Sequence, residues 1–385
     1  MSGRVLITGA RAPAALDLAR AFAAAGYEAH LADCRMVWSA RLSRTPTTLR
    51  RYASPVHHPE RFATDIADLV DRLNPDLIVP VCEEVFHLAR LAVSRSDLAT
   101  LLAAPPLETL TTLHSKRRFV ALCETLGIDA PRTWSLTGRD ALTDLPDPST
   151  LVFKPEFSRF GLDTLIRPSR DRLAELQPTA ERPWVAQSYV AGAEVCFHAV
   201  ARDGRLTAFS SYRSSWRTRG GAGYAFAPLE RATHEALRGA AERLSGPVGR
   251  GQFACDAIID PDGRPWLIEC NPRATSGVHL FDRAPALARA FTDDGPRLDI
   301  ADFAPRHIGP ALWLLGLPAA LKAGRLSDWR DARRQGRDVV TAAGDIGPLA
   351  GALIDGASFG IEACLSGRPL AGAMTADIEW NGAAA

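Results

Sequence analysis

The chain opens on Val5-Leu6-Ile7-Thr8, a short run of β-favouring residues that stops at Gly9, and passes into an Ala-rich stretch from about Ala12 to Ala25, closed by Gly26. The first reads as a strand and the second as a helix with its terminating glycine, which makes a βα unit. Ala29 to Ala32, with Asp33 at its end, offers a second strand. Phe62 to Leu73 is amphipathic with helical spacing, and Leu77 to Val81 is a further strand. Strands alternating with helices imply a parallel sheet covered by those helices.

Pro105-Pro106 interrupts this alternation and marks a boundary. Ser115 to Leu126 then reads as a helix ending at Gly127. From Leu151 to Asn271 the pattern is strand-rich, with candidates at Leu151 to Phe153, Trp184 to Val190, Val195 to Ala201, Phe253 to Ile259 and Pro265 to Cys270. Asp260 to Arg264 is a turn sequence, so the last two form an antiparallel hairpin. Beyond about Leu280 the pattern is helical and Arg-rich, with Gly- and Pro-rich breaks around Gly344 to Gly351. There is no internal repeat.

Composition narrows the class. With 385 residues, 46% of them hydrophobic, the chain can bury a large core divided over two or three domains. Lys plus Arg number 45 against 44 for Asp plus Glu, so no global field gathers nucleic acid or an anionic membrane, and any recognition of anions is local. No apolar run approaches the roughly 20 residues that span a bilayer, and Met1 to Thr8 reads as a strand rather than a signal peptide. A soluble cytoplasmic protein with no membrane or nucleic-acid partner is expected. The seven cysteines are odd in number, widely spaced and free of any Cys-x-x-Cys pair, which argues against a disulfide framework or structural zinc. The turn from Thr8 to Ala14 lacks the second and third glycines of a dinucleotide fingerprint, so NAD binding is not expected there.

The hairpin carries the chemistry. Glu269 and Asn271 lie two residues apart on one strand and therefore point to one face, where Asp256 on the neighbouring strand can meet them. Three oxygen donors of this kind suit Mg²⁺ that also binds phosphates. Glu269 sits among Leu267, Ile268 and Cys270, where an unpaired carboxylate is costly to bury; a solvated hairpin face is the plainer alternative.

The stretch Ile268 to Arg273 resembles the metal motif of the ATP-grasp superfamily: Glu, any residue, then Asn, Pro and Arg. Further markers follow the family's order from Ser115 to about Leu280. Lys116, on a helix followed by Gly127, Ile128 and Pro131, resembles the lysine that reaches the ATP phosphates. Lys154-Pro155 resembles the second lysine, on a strand. Gln187, Ser188, Tyr189 and Val190, followed by Gly192 and Glu194, are similar to the hinge that binds adenine through backbone groups and ribose through the glutamate.

The resemblance implies a mixed α/β and α+β protein: a Rossmann-like pre-ATP-grasp domain (1–105), an ATP-grasp domain of two subdomains sandwiching ATP (106–290) and a C-terminal extension of unknown role (291–385). It implies ATP with Mg²⁺, or Mn²⁺ in its place, held by Asp256, Glu269 and Asn271. The implied reaction joins a small-molecule carboxylate to an amine through an acyl phosphate. Alternatives are a carboxylase acting through carboxyphosphate and a non-catalytic ATP-binding regulator; a homodimer stays open.

Two departures from the family pattern stand out. The phosphate-covering loop Ser158-Arg159-Phe160-Gly161 has one glycine where many relatives are glycine-rich, which shifts phosphate contact onto the Ser158 and Arg159 side chains. D-alanine ligases carry an arginine where this chain has Ala254. The catalytic cation is instead Arg273, as in relatives resembling biotin carboxylase and carbamoyl phosphate synthetase, its guanidinium fork holding a carboxylate and a transferring phosphoryl group together.

Arg213, Arg217 and Arg219 beside a glycine-rich stretch ending at Gly223 read as a lid for an anionic substrate, with a solvated hairpin tip as the alternative. Ser276, Gly277 and His279 follow Arg273 closely and are candidate substrate contacts, although a lone histidine is more often structural. Cys255 and Cys270 alternate with the metal-site residues and are read as packing. Glu83-Glu84 follows a strand end, where open sheets place ligand contacts; solvated acids at a helix start are the equal alternative.

Overall fold

The computed structural model describes residues 3–159, 161, 163–218, 221–293 and 295–382. Its first sheet is formed by β1 (Arg4–Thr8), β2 (Glu28–Asp33), β3 (Thr48–Arg51) and β4 (Leu77–Pro80) in the order β3-β2-β1-β4, all parallel. Val5, Leu6 and Ile7 are wholly buried because β1 lies between two strands with helices over both faces. Helix α1 (Pro13–Ala24) follows, with Pro13 in its first turn. Its Leu18 and Phe22 pack on the sheet, and Gly26, at φ +90°, turns the chain into β2. Helix α2 (Pro59–Leu73) ends at Asn74 in the left-handed conformation, and α3 (Glu84–Ser94) leaves the end of β4.

Helices α4 (Leu107–His114) and α5 (Lys116–Thr125) lead into a small antiparallel sheet. It contains β5 (Thr133–Leu136), β6 (Leu151–Pro155), β7 (Leu165–Ile166) and β8 (Trp184–Ser188) in the order β5-β8-β6-β7. A larger sheet is built from β9 (Ala193–Arg202), β10 (Arg205–Arg217), β11 (Gly223–Ala227), β12 (Gly251–Ile259) and β13 (Pro265–Asn271), in the order β13-β12-β9-β10-β11. Helix α6 (Arg231–Val248) lies between β11 and β12 in the chain. Phe197, Phe209, Phe253, Cys255, Leu267 and Cys270 point from this sheet onto α5 and α6. The strand residues that alternate with them face the small sheet around Asp256 and the first sheet farther along, where Val200 and Ala208 join the core around β1 and Gln252 donates to Pro80 O.

The C-terminal third departs from the helical expectation. Three short strands, β14 (Leu298–Ile300), β15 (Arg306–His307) and β16 (Arg337–Asp338), extend the large sheet through β10 and β11. Strands of two or three residues carry no readable period; the edges they pair with specify them. Helix α7 (Gly347–Ser366) starts inside the stretch read as a break, because Pro348 sits in its first turn, where a missing amide costs nothing. It is also long and apolar enough, by length and composition alone, to cross a membrane. Glycines and two acids, Asp355 and Glu362, interrupt its apolar positions, which is why no unbroken apolar run betrays it. After α7 the chain returns to the first sheet. Trp380 stacks on Phe86 of α3 with centroids 5.5 Å apart, Ile378 is fully buried, and Asp377 pairs with Arg11, which also holds Asp33.

Candidate active site

A cleft of about 540 Å³ opens between the small and large sheets. The β12–β13 hairpin forms its floor. Asp256 and Glu269 are directly opposed across that pair, and the register shifts between Asp256 and Ala257, so Ile268 has no partner on β12 and joins Glu269 and Asn271 in lining the cleft. The side-chain amide of Asn271 donates to Asp256 Oδ2 at 3.3 Å. The Cys196 thiol, in register with Asp256 on β9, donates to Oδ1 at 2.8 Å.

Lys116 sits at the first position of α5, whose N-cap Ser115 accepts from the Arg118 amide. Its Nζ donates to Ser158 Oγ at 3.0 Å and lies 3.7 Å from Glu269 Oε2. Lys154, on β6, lines the same cleft. Burial lowers the Lys116 pKa, with Lys154 adding to that and Glu269 opposing it. Burial alone would raise Glu269, but Lys116 and Lys154 outweigh it and hold the carboxyl below its ordinary range. Asp256 moves the other way, pushed up by burial and then by Glu269. Among the described residues no group of three His, Cys, Asp or Glu gathers at one point. The donor set here is two carboxylates and an amide.

Gln187, Ser188, Tyr189 and Val190 line one end of the cleft at the close of β8. The Gln187 side chain is buried and donates to Thr133 Oγ1 at 3.2 Å and Ile268 O at 3.4 Å, tying the small sheet to the unpaired residue of the large one. Gly192 follows at φ +157°, where a Cβ would come within 2.0 Å of Ile259 O, so only glycine lets the hinge pass β12 this closely. Glu194 faces the cleft and pairs with Arg217 Nη1 at 2.5 Å. At the other end Arg273 donates to Asn271 Oδ1 at 3.2 Å, and Ser276 lies beside it in the lining. Gly161, at φ +60°, also reaches the cleft.

Several expected contacts lie elsewhere. Arg159 does not reach for phosphate. Its guanidinium is taken by Glu83 Oε1 at 2.7 Å, Glu379 Oε2 at 2.9 Å, Trp380 O at 3.0 Å and Asn381 Oδ1 at 3.1 Å. Glu83 is neither a substrate contact nor a solvated acid. It is buried, accepts from the Trp380 amide at 3.0 Å and lies 4.0 Å from Arg273 Nε. Burial would raise its pKa, but Arg159, His114 and Arg273 bring it down. Glu84 is buried too, accepting from Thr8 Oγ1 at 2.8 Å and the Val81 and Cys82 amides. His279 turns away to α1, bonded to Asp17 Oδ2 at 2.7 Å. Gly277 packs on His198, where a Cβ would approach to 2.3 Å.

The arginine-rich stretch is mostly strand rather than loop. Arg213 and Arg217 belong to β10, which pairs with β11. Alternation sends exposed Arg213 to the face opposite Tyr212 and Ser214, and the register shifts on either side of Trp216 turn Arg217 instead into the cleft. Arg219 lies outside the described residues. Tyr212, Phe226 and Cys196 line the cleft without having been anticipated. Cys196 becomes visible only once β9 is set in register against β12, and an isolated tyrosine or phenylalanine carries no sequence signal at all.

No family model matches the chain, and no curated protein matches it in sequence. Among solved structures it is similar to an L-amino acid ligase from Bacillus licheniformis, at 16% identity and TM-score 0.58, over 76% of this chain and 74% of that one. It is similar to an N5-carboxyaminoimidazole ribonucleotide synthetase in complex with ADP, at 13% identity and TM-score 0.64, over 84% of each chain. A phosphoribosylamine–glycine ligase from Thermotoga maritima aligns at 18% identity and TM-score 0.59, over 78% of each. At such identities the likeness is one of fold.

Proposed function

The chain has the ATP-grasp fold, and on that premise we propose that it is an ATP-dependent ligase joining a carboxylate to an amine. One observation carries the reading. A single cleft between the two sheets is lined by buried Lys154, Arg273, and two carboxylates with an amide, and buried Lys116 lies 3.7 Å from one of those carboxylates, the set needed to bind and transfer a phosphoryl group. The named neighbours, an L-amino acid ligase, a phosphoribosylamine–glycine ligase and a synthetase bound to ADP, support it.

ATP lies along the cleft, its base at Ser188 to Val190, its ribose at Glu194 and its phosphates toward Lys116, Lys154 and Gly161. The ribose displaces Arg217 from Glu194, which frees that guanidinium for an anionic group. Asp256, Glu269 and Asn271 fit Mg²⁺, and Mn²⁺ in its place. Two opposed buried carboxyls, one pushed up by burial and then by the other's charge, mark a point short of positive charge, and all three donors are oxygens. When bound, the ion neutralises charge building on the triphosphate. Arg273, held in orientation by Asn271 and facing Glu83, clamps the carboxylate substrate. A carboxylate oxygen attacks the γ-phosphorus as the bond to ADP breaks. The amine nitrogen then attacks the acyl carbon, phosphate leaves, and the nitrogen gives up a proton.

The test is ADP release from ATP with pooled carboxylates and amines, the product being identified by mass. An amide or peptide product is expected. ADP release driven by bicarbonate alone would favour the carboxylase reading, and ATP binding without turnover under any pool would favour the regulator.

A further inference from the structure

Helix α7 has its polarity reversed. Asp355 accepts from the Trp38 and Ser39 amides at 2.8 and 2.9 Å, and Glu362 accepts from Arg35, whose guanidinium lies over the Phe359 ring. Gly351 brings the helix against the Trp38 carbonyl. These positions recur at helical spacing, so the only charged residues on α7 point inward. The opposite face presents Leu349, Leu353 and Ile361 to solvent, with Ile361 62% and Leu365 84% exposed. Most exposed large apolar side chains among the described residues lie on three adjoining segments: α7, the Met36 to Leu42 turn beneath it, and Trp313 to Leu321, which continues from residues 309–311 packed on α7. A monomer rarely leaves such a face open.

We infer that this face is the interface of a symmetric dimer of the chain, formed by antiparallel pairing of α7 with α7 of a second copy. An uncharged apolar face fits a partner with the same character, and a two-fold axis supplies one, since each copy presents the identical patch. A two-fold axis near Ala357 sets Leu353 of one copy against Ile361 of the other, two positions about 80° apart around the helix. Between them, Gly356 and Gly360 leave a notch, because a Cβ at either meets nothing within 4 Å in this chain. The helix is about 30 Å long, and with its flanks the exposed apolar surface is on the order of 800 Å² per copy, the contribution each partner makes to a stable dimer. A helix resting on a membrane surface would border its apolar face with Lys and Arg; α7 contains neither.

Sedimentation equilibrium of the full chain between about 1 and 100 µM tests this, a range bracketing micromolar association. A dimer is expected throughout most of it. Leu353→Lys and Ile361→Lys should each weaken association at least about 100-fold, burying an unpaired charge on both sides of the axis, with ATP affinity unchanged and melting no longer dependent on protein concentration. Ala357→Cys with Cys364→Ser should form a disulfide-linked dimer on mild oxidation. A wild-type chain monomeric at the upper concentration, or a dimer that both lysine variants leave intact, overturns the inference. So would a monomer that floats with phosphatidylcholine vesicles and loses that property in the same variants, which would assign the face to a membrane.

Discussion

Glu269 stands between an attraction and a repulsion, with Lys116 at 3.7 Å and Asp256 directly across the hairpin. Glu269→Gln removes both, so the two effects offset, and the apo-protein should melt within about 3 °C of wild type by calorimetry. Turnover should nevertheless fall about 100-fold or more, because the proposed metal ion would lose an anionic ligand. Near-native turnover at saturating Mg²⁺ would mean that another carboxylate does this work. Arg273→Lys keeps the charge and loses the fork. ATP affinity by calorimetric titration should stay within about 3-fold while kcat and kcat/KM fall together by about 100-fold, the pattern of a contact made in the transition state. Lost ATP affinity with kcat unchanged would make Arg273 a ground-state nucleotide contact and direct attention to Arg217. Asp256, Glu269 and Asn271 were legible in the sequence through the motif they form on a local hairpin, but the turn alone would pair Asp256 with Ile268, and the bulge that sets it against Glu269 left no mark in the spacing. Arg159 with Glu83 and Glu379, and His279 with Asp17, were not. Each joins residues that only the tertiary fold brings together, and nothing in the spacing of either partner announces the other.

Among the elements, the long apolar strands and the helices with glycine stops lie where their periodicity places them. The 13-residue strand β10 was overlooked because its polar positions face the cleft and the solvent. Helix α7 was hidden for the opposite reason, since its charges point inward. The tail after α7 acts as a strap: Trp380 covers Phe86, while Glu379 and Asn381 hold the phosphate-loop arginine. Trp380→Ala should cost about 3 to 5 kcal/mol in urea unfolding, the usual loss for a buried tryptophan. It should also raise protease sensitivity near Ser158, since Arg159 shares Glu83 with the Trp380 amide. A loss below about 1 kcal/mol would mean that the strap is only draped over the first sheet.

For the whole molecule, the small and large sheets meet at the cleft and through the Gln187 bond to Ile268, so a nucleotide bound as proposed would join them. ATP with Mg²⁺ at about 100 times its dissociation constant should stabilise the fold by about 2.7 kcal/mol, seen as a melting shift of several degrees. NADH should give none, and the reverse result would end the ligase reading. The strap also sets a timetable for folding. Asp377 and its partner Arg11 are separated by 366 positions in the chain. At about 5 to 20 residues per second of translation, the nascent first sheet waits roughly 20 to 70 s for the segment that completes it. Throughout that interval the ring of Phe86, the guanidinium of Arg11 and the carboxylate of Glu83 lack partners that the tail supplies. The first sheet is therefore finished late, and chaperone dependence during synthesis should concentrate on residues 3–105 rather than on the cleft between the small and large sheets.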